Sequence, residues 1–299
     1  MRRYLRDKWT SWIRDHFEFF EKYLKIHVLP ANYLSPVPQK SDLSDRMFAR
    51  PFSCRGVRMN LEEQLHLLDV ILPRYLEEYT PRQNPGLSLL DDYVLYAFIR
   101  HFKPRRMIEI GSGCSTQVSL KALSRNRSEG ASCHFTAIEP FPPPTLQVPS
   151  QPGFELLRKP VQSLSPAYFE TCDLLFIDSS HICKMGSDVT MQILEIIPQL
   201  PPKALVHWHD ITIPHNYWKE WASNKRLFWN ESYMVHAFML FNDSFQTLWS
   251  AQYLQTHHAH RLLKAFPFFI PARHRLSSFW IQRTQNIDPS AAGSRSELP

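Results

Sequence analysis

Apolar residues between positions 104 and 210 gather into short runs that end on acids. Met107, Ile108 and Ile110 form the first run, with Glu109 near its carboxyl end; Ser132 to Glu139, Asp173 to Asp178 and Ala204 to Asp210 form three more, each closed by a carboxylate. Runs that are apolar on successive positions suit strands buried on both faces of a parallel sheet. A further strand is expected around Phe154 to Leu157, and Pro140 to Pro144 stops the strand before it. Between and before the strands the spacing is helical. Leu61, Leu65, Leu68, Ile71, Leu72 and Leu76 predict a helix over Leu61 to Tyr79, and Asp91 to Phe102 predicts another leading into the sheet. Leu5, Trp9, Trp12, Ile13, Phe17, Phe20 and Leu24, with Arg and Lys between them, predict an amphipathic helix within residues 1–30. The alternation predicts an α/β fold, mainly a parallel twisted sheet with helices on both faces and an N-terminal helical extension. In such a sheet ligands bind beyond the carboxyl ends of the strands, so Glu109, Glu139, Asp178 and Asp210 should converge on one crevice.

The first strand runs into Gly111-Ser112-Gly113-Cys114-Ser115-Thr116. Gly111 and Gly113 are expected to allow positive φ and close approach of a ligand to the backbone. Ser115 and Thr116 suit a helix start whose free N–H groups face the same crevice. Two glycines also serve a plain strand-to-helix turn, and Thr116 stands where a dinucleotide fingerprint needs its third glycine, which argues against NAD. Glu139 is placed to bind ribose hydroxyls.

These residues resemble the class I S-adenosylmethionine (SAM)-dependent methyltransferases, in a Rossmann-like methyltransferase fold. The similarity rests on Glu109-Ile-Gly-Ser-Gly113, Ile138-Glu-Pro140 and Phe176-Ile-Asp-Ser-Ser-His181, and extends over about residues 28 to 256 through Ser35-Pro-Val-Pro38, Ile99 to Pro104, Lys184 to Asp188, His207 to Pro214 and Trp229 to Tyr233. It is similar to a bacterial, methyltransferase family 24-like branch. The resemblance implies that Glu109, Gly111 and Gly113 surround the methionine part of SAM with Ser112, Ser115 and Thr116 nearby, and that Glu139 binds the ribose. It further implies that Pro160 to Ser163, with Gln162, lines the adenine edge and that Asp178 lies beside the sulfonium. Cys114 departs from the small residue usual at its position. Some members hold a divalent ion with an acid after the fourth strand and an acidic pair after the fifth. By that likeness Asp178 and Asp210 are ligands and His209 takes the third place, a donor that favours Mn, Fe, Ni or Zn over Mg.

The chemistry expected is alignment of an acceptor and removal of its proton, assigned to Asp178, His181 and His209. His207 reads as a core histidine, and His257 to His260 as a solvated segment. Asn230, Glu231 and Tyr233 suit an acceptor lid, while Trp218, Trp221 and Trp229 suit helix packing across the site; the sequence leaves both open.

The 299 residues are 43% hydrophobic, enough for one large domain with appendages. The expected divisions are the helix at 1–30, a helical cap at 31–103, the SAM-binding core at 104–256 and a basic C-terminal extension at 257–299 with a disordered end. Five cysteines without a C-x-x-C pair fit a reducing compartment, and no signal segment or long apolar window is seen, so a cytoplasmic location is expected. The net charge of +6 is spread along the chain without a basic run, so a nucleic-acid partner is not expected. The function expected is O-methylation of a hydroxylated small molecule or glycan. The alternatives are a metal-dependent hydroxylase on this scaffold or a non-catalytic SAM- or partner-binding module. The N-terminal helix suits either docking to protein or contact with a membrane surface.

Overall fold

The strands predicted from the apolar runs stand in the computed structural model, which describes residues 2–80, 87–144, 146 and 151–284 with side chains from Lys8 onward. They are β1 (Arg106–Ile110), β2 (His134–Ile138), β3 (Phe154–Leu157), β4 (Leu174–Ile177) and β5 (Leu205–Trp208), all parallel. Two more strands, β6 (Phe245–Ser250) and β7 (Phe279–Arg283), complete the sheet in the order β3-β2-β1-β4-β5-β7-β6, with β7 antiparallel to both neighbours. The expected core boundary at residue 256 is therefore corrected. β7 comes from the segment read as an extension, yet it is inserted between β5 and β6.

The period of two along each strand serves two separate cores. Leu174 and Phe176 join one face with Met107, Phe135 and Trp280, while Leu175 and Ile177 join the other with Ile108, Ile138 and Trp208. Both faces are covered by helices, which is why the strands read as unbroken apolar runs. On the first face lie α1 (Leu61–His66, extended by wider and then tighter turns to Tyr75), α2 (Leu89–Phe102) and α3 (Cys114–Ser128). On the second lie α4 (Asp188–Met191, extended to Gln199) and α5 (Glu231–Met239). Ser88 caps α2 by accepting the Asp91 N–H, and the helix stops at Lys103 in the left-handed conformation. Asp91 and Asp92 are buried in its first turn; Asp91 accepts the Ser277 and Ser278 N–H groups and Asp92 the Tyr79 hydroxyl. Buried carboxylates with such partners tie α2 to the loop before β7.

Register sets the site. Ile110 pairs with Ile138 on one side and Ile177 on the other, so β1, β2 and β4 end level and Gly111, Glu139 and Asp178 leave the sheet side by side. The His209 N–H bonds Ile177 O at 2.8 Å, which carries the same edge across to β5.

A second compact unit comprises Met1–Ala49 and Trp218–Phe228. Its helix Arg2–Asp15 breaks at His16, resumes over Phe17–Leu24 and ends at a left-handed Lys25. The expected N-terminal helix is thus present in two pieces; the side chain of Leu5 lies outside the described residues. Trp12 stacks on His16 at 4.4 Å and meets Trp9 edge-on, while Tyr23 and Tyr33 are exposed. Lys219 pairs with Asp45 within this unit. The tail expected to be disordered lies outside the described residues beyond Thr284. Among the described residues no helix is long and apolar enough to cross a membrane.

Candidate functional site

Gly111 is the tightest point of the turn after β1. Its φ is +91°, and a Cβ there would stand 2.0 Å from the Asp178 carbonyl oxygen, so only glycine lets the β1 and β4 ends close together. Gly113 is different from what the sequence suggested. Its φ of 170° is open to any residue, and a Cβ there would meet nothing within 4 Å, so it leaves space without strain.

A cavity of about 600 Å³ opens beyond these strand ends, lined by Gly111, Glu139, Phe141, Gln162, Asp178 and Asp188 among others. It lies where the strand order reverses, between β1 and β4, and its size is in the range of small-ligand sites. Glu139 is half-buried at the end of β2 and is held by the Ser112 N–H at 3.3 Å and the Phe141 N–H at 2.7 Å. Each carboxylate oxygen has a second lone pair left for a ligand hydroxyl. Gln162 is anchored by donating to Gly186 O at 3.2 Å.

The other residues expected around the methionine part are partly turned to one another. Ser115 donates to Glu109 Oε1 at 2.5 Å, and Thr116 Oγ1 accepts the Gly113 N–H at 2.9 Å, which starts α3. Both are buried and serve the loop rather than the cavity wall. Glu109 is fully buried, and burial pushes its carboxyl up to about 8 against the opposing hydrogen bond from Ser115. Among the described residues its Oε2 and the Ser112 Oγ, both buried, have no hydrogen-bond partner. Two unsatisfied polar atoms at the carboxyl end of β1 fit a polar ligand group there.

Beside the cavity stands an imidazole among acids. His181, in a left-handed backbone conformation at φ 58°, has Nδ1 2.8 Å from Glu231 Oε2 and Nε2 3.4 Å from Asp178 Oδ1 and 3.7 Å from Asp210 Oδ2. Burial alone would lower its pKa, but the hydrogen bonds to Asp178 and Glu231 outweigh it and raise it to about 10. Those acids favour the protonated ring, and Nε2 becomes a metal ligand only where a cation displaces its proton. Burial works against the charge of Asp178, yet His181 and His209 hold it below the usual carboxylate range. Asp210, at φ 56°, also accepts from Ser277 Oγ at 3.0 Å.

The metal set read from the sequence was Asp178, His209 and Asp210. Among the described residues the ligand atoms within 4.8 Å of one another belong instead to Asp178, His181 and Asp210. The reason is local: the left-handed turn at His181 brings its ring between the two acids. His209 lies deeper, with Nε2 3.5 Å from Asp210 Oδ1 and Nδ1 without a partner. His207 is buried between Phe176 at 4.2 Å and Trp280 at 4.6 Å and belongs to the core, as expected. The donor set of two carboxylates and one imidazole fits a divalent cation, with the nitrogen favouring Mn, Fe or Zn over Mg. The Nδ1 hydrogen bond to Glu231 is the outer partner that a metal-binding histidine ordinarily has.

Two contributors were missed as parts of the site. Asp188 accepts from the Ser180 N–H at 2.9 Å and the Ser180 hydroxyl at 2.5 Å, bracing the loop after β4; its sequence signal was the Lys184 to Asp188 motif, which gave it no role. Glu231 was read as part of a lid and proves to hold His181.

Residues 108–211 match the family described as a methyltransferase domain. A protein of Archaeoglobus fulgidus, itself described only as uncharacterized, is 27% identical over 165 residues, which are 48% of this chain and 73% of that protein. Among solved structures the chain is similar to the O-methyltransferase TomG from Streptomyces achromogenes in complex with SAM, at 11% identity and a TM-score of 0.38 over 75% of this chain and 90% of that one. It is also similar to an O-methyltransferase from Bacillus cereus in complex with SAH, at 11% identity and a TM-score of 0.38 over 94% and 100% of the two chains. Likeness at that level is loose, and the fold assignment stands on the strand order and the family match. The glycine turn and the strand-end acids thus lie in the same segment, residues 108–211, that matches the methyltransferase-domain family.

Proposed function

We propose that the chain transfers the methyl group of SAM to a hydroxyl oxygen of a small molecule or glycan. The observation that carries this reading is the double position of Asp178, which lines the cavity at the strand switch point and also faces His181 Nε2 at 3.4 Å. A donor in the cavity and an acceptor at the Asp178–His181–Asp210 cluster are thereby adjacent.

In this reading Glu139 binds the ribose hydroxyls, Gln162 lines the adenine side, and the buried Glu109 and Ser112 receive the polar end of the methionine part. The methyl carbon leaves sulfur for the acceptor oxygen in line, so alignment carries most of the rate. The hydroxyl proton passes to Asp178 or Asp210, and the His181 ring between them keeps the two acids in place. A divalent ion held by Asp178, His181 and Asp210 would lower the hydroxyl pKa when bound. Trp229, half-buried beside His181, gives the cluster an aromatic flank of the kind on which sugar or phenol rings pack. A hydroxylase is less well supported, because one imidazole with two carboxylates reverses the two-histidine, one-carboxylate set of ferrous oxygenases.

Calorimetry with SAM and SAH tests the donor half. Glu139→Ala should weaken SAM binding about tenfold or more, through the loss of charge-assisted hydrogen bonds worth roughly 1.5–3 kcal/mol. Unchanged affinity in that variant would remove Glu139 from the site.

A further inference from the structure

The residues Trp229, Asn230 and Glu231, which the sequence leaves open between lid and packing, lie against one loop. All three residues act on the loop that carries His181. The Trp229 ring lies 4.3 Å from the His181 ring. The N–H groups of Asn230 and Glu231 both donate to the His181 carbonyl, at 3.1 and 3.2 Å. The Asn230 side chain brackets Cys183, accepting its N–H at 2.6 Å and donating to its carbonyl at 3.2 Å. Glu231 Oε2 takes Nδ1 of His181 at 2.8 Å from a position with no solvent exposure. The segment opens α5, where the helix N-terminus favours a carboxylate.

We propose that Glu231 is a positioning residue which, with Trp229 and Asn230, clamps His181 so that its Nε2 edge is presented as a ligand to a divalent cation between Asp178 and Asp210. This rests on the reading of that cluster given above. The physical reason is rotational: an imidazole fixed at Nδ1, packed against the tilted Trp229 ring and held through its own carbonyl cannot turn its Nε2 away from the acids. The left-handed φ of 58° at His181 is a conformation that a non-glycine residue keeps only where its surroundings impose it, and the two N–H groups on its carbonyl impose it here. Without Glu231 the ring would lose its anchor, and the remaining acids would bind a cation with two ligands instead of three.

The test is Mn²⁺ binding by calorimetry to the full chain, with SAH binding measured on the same preparations. Glu231→Ala and Glu231→Gln are expected to weaken Mn²⁺ about ten- to hundredfold, the range for loss of a partner that orients a metal ligand. Both should bind SAH within about twofold of the unaltered protein, because Glu231 does not line the donor cavity. If Glu231→Ala does not fold, the isosteric Glu231→Gln carries the comparison. The His181 ¹⁵N spectrum gives a second readout, with the Nδ1 proton signal losing its hydrogen-bonded shift in Glu231→Ala and keeping only the weaker shift of a neutral acceptor in Glu231→Gln. Mn²⁺ affinity within threefold of the unaltered protein in a variant that still binds SAH would overturn the proposal. So would an unaltered protein that binds SAH but no Mn²⁺, which would leave the methyl-donor reading intact. Binding of neither ligand by the unaltered protein would overturn both.

Discussion

Replacing Gly111 with alanine is expected to cost about 3 kcal/mol of stability or more and to abolish donor binding. The added methyl would sit 2.0 Å from the Asp178 carbonyl oxygen, at a φ of +91° that alanine tolerates poorly. That oxygen belongs to backbone at the end of β4, so nothing flexible gives way. The strand ends would have to part, and Glu139 and Asp178 would lose their common spacing. Gly113→Ala is the internal control: its Cβ meets no protein atom, so stability should change by no more than about 1 kcal/mol. Chemical denaturation of the two variants side by side checks this, and equal losses would contradict the assignment of strain to Gly111 alone.

The second large effect is one of pH. Burial raises the Glu109 carboxyl to about 8 in the folded chain, against an ordinary value of 4.5. Its contribution is fully present below about pH 4.5 and is lost as the pH rises through 8, because the folded state then has to bury a charge that the unfolded state solvates. Glu109→Gln keeps an acceptor for Ser115 and cannot ionise. Relative to the unaltered protein, the variant should gain stability progressively from pH 4.5 to 8, reaching roughly 4 kcal/mol at the upper end. Denaturation midpoints across that window measure the difference, and parallel pH profiles would show that Glu109 is not buried in neutral form.

The order in which the sequence yields these features has physical causes. β2, β4 and β5 are legible because both faces of a covered parallel sheet are apolar, so each is a mainly apolar run with an acid just beyond it, whereas β1 and the edge strand β3 carry Glu109 and Glu155 within the run. β6 (Phe-Gln-Thr-Leu-Trp-Ser) and β7 (Phe-Trp-Ile-Gln-Arg) mix polar and apolar positions, and β7 pairs with β5 across more than seventy residues, a distance that no local pattern encodes. Glu139, Asp178 and Asp210 follow from strand ends alone. The choice of His181 over His209 does not. It depends on a left-handed backbone turn and on a carboxylate fifty residues downstream, neither of which leaves a periodic trace. The two glycines were equivalent as letters, and the difference between them appears only when the Asp178 carbonyl is in place.

In the proposed function the cavity at the strand switch point holds the methyl donor and its product. A thermal melt of the unaltered chain with saturating SAH, beside one with NAD, tests it most directly. SAH should raise the melting temperature by about 5 °C, and NAD should leave it unchanged. Stabilisation by NAD without any by SAH would contradict it.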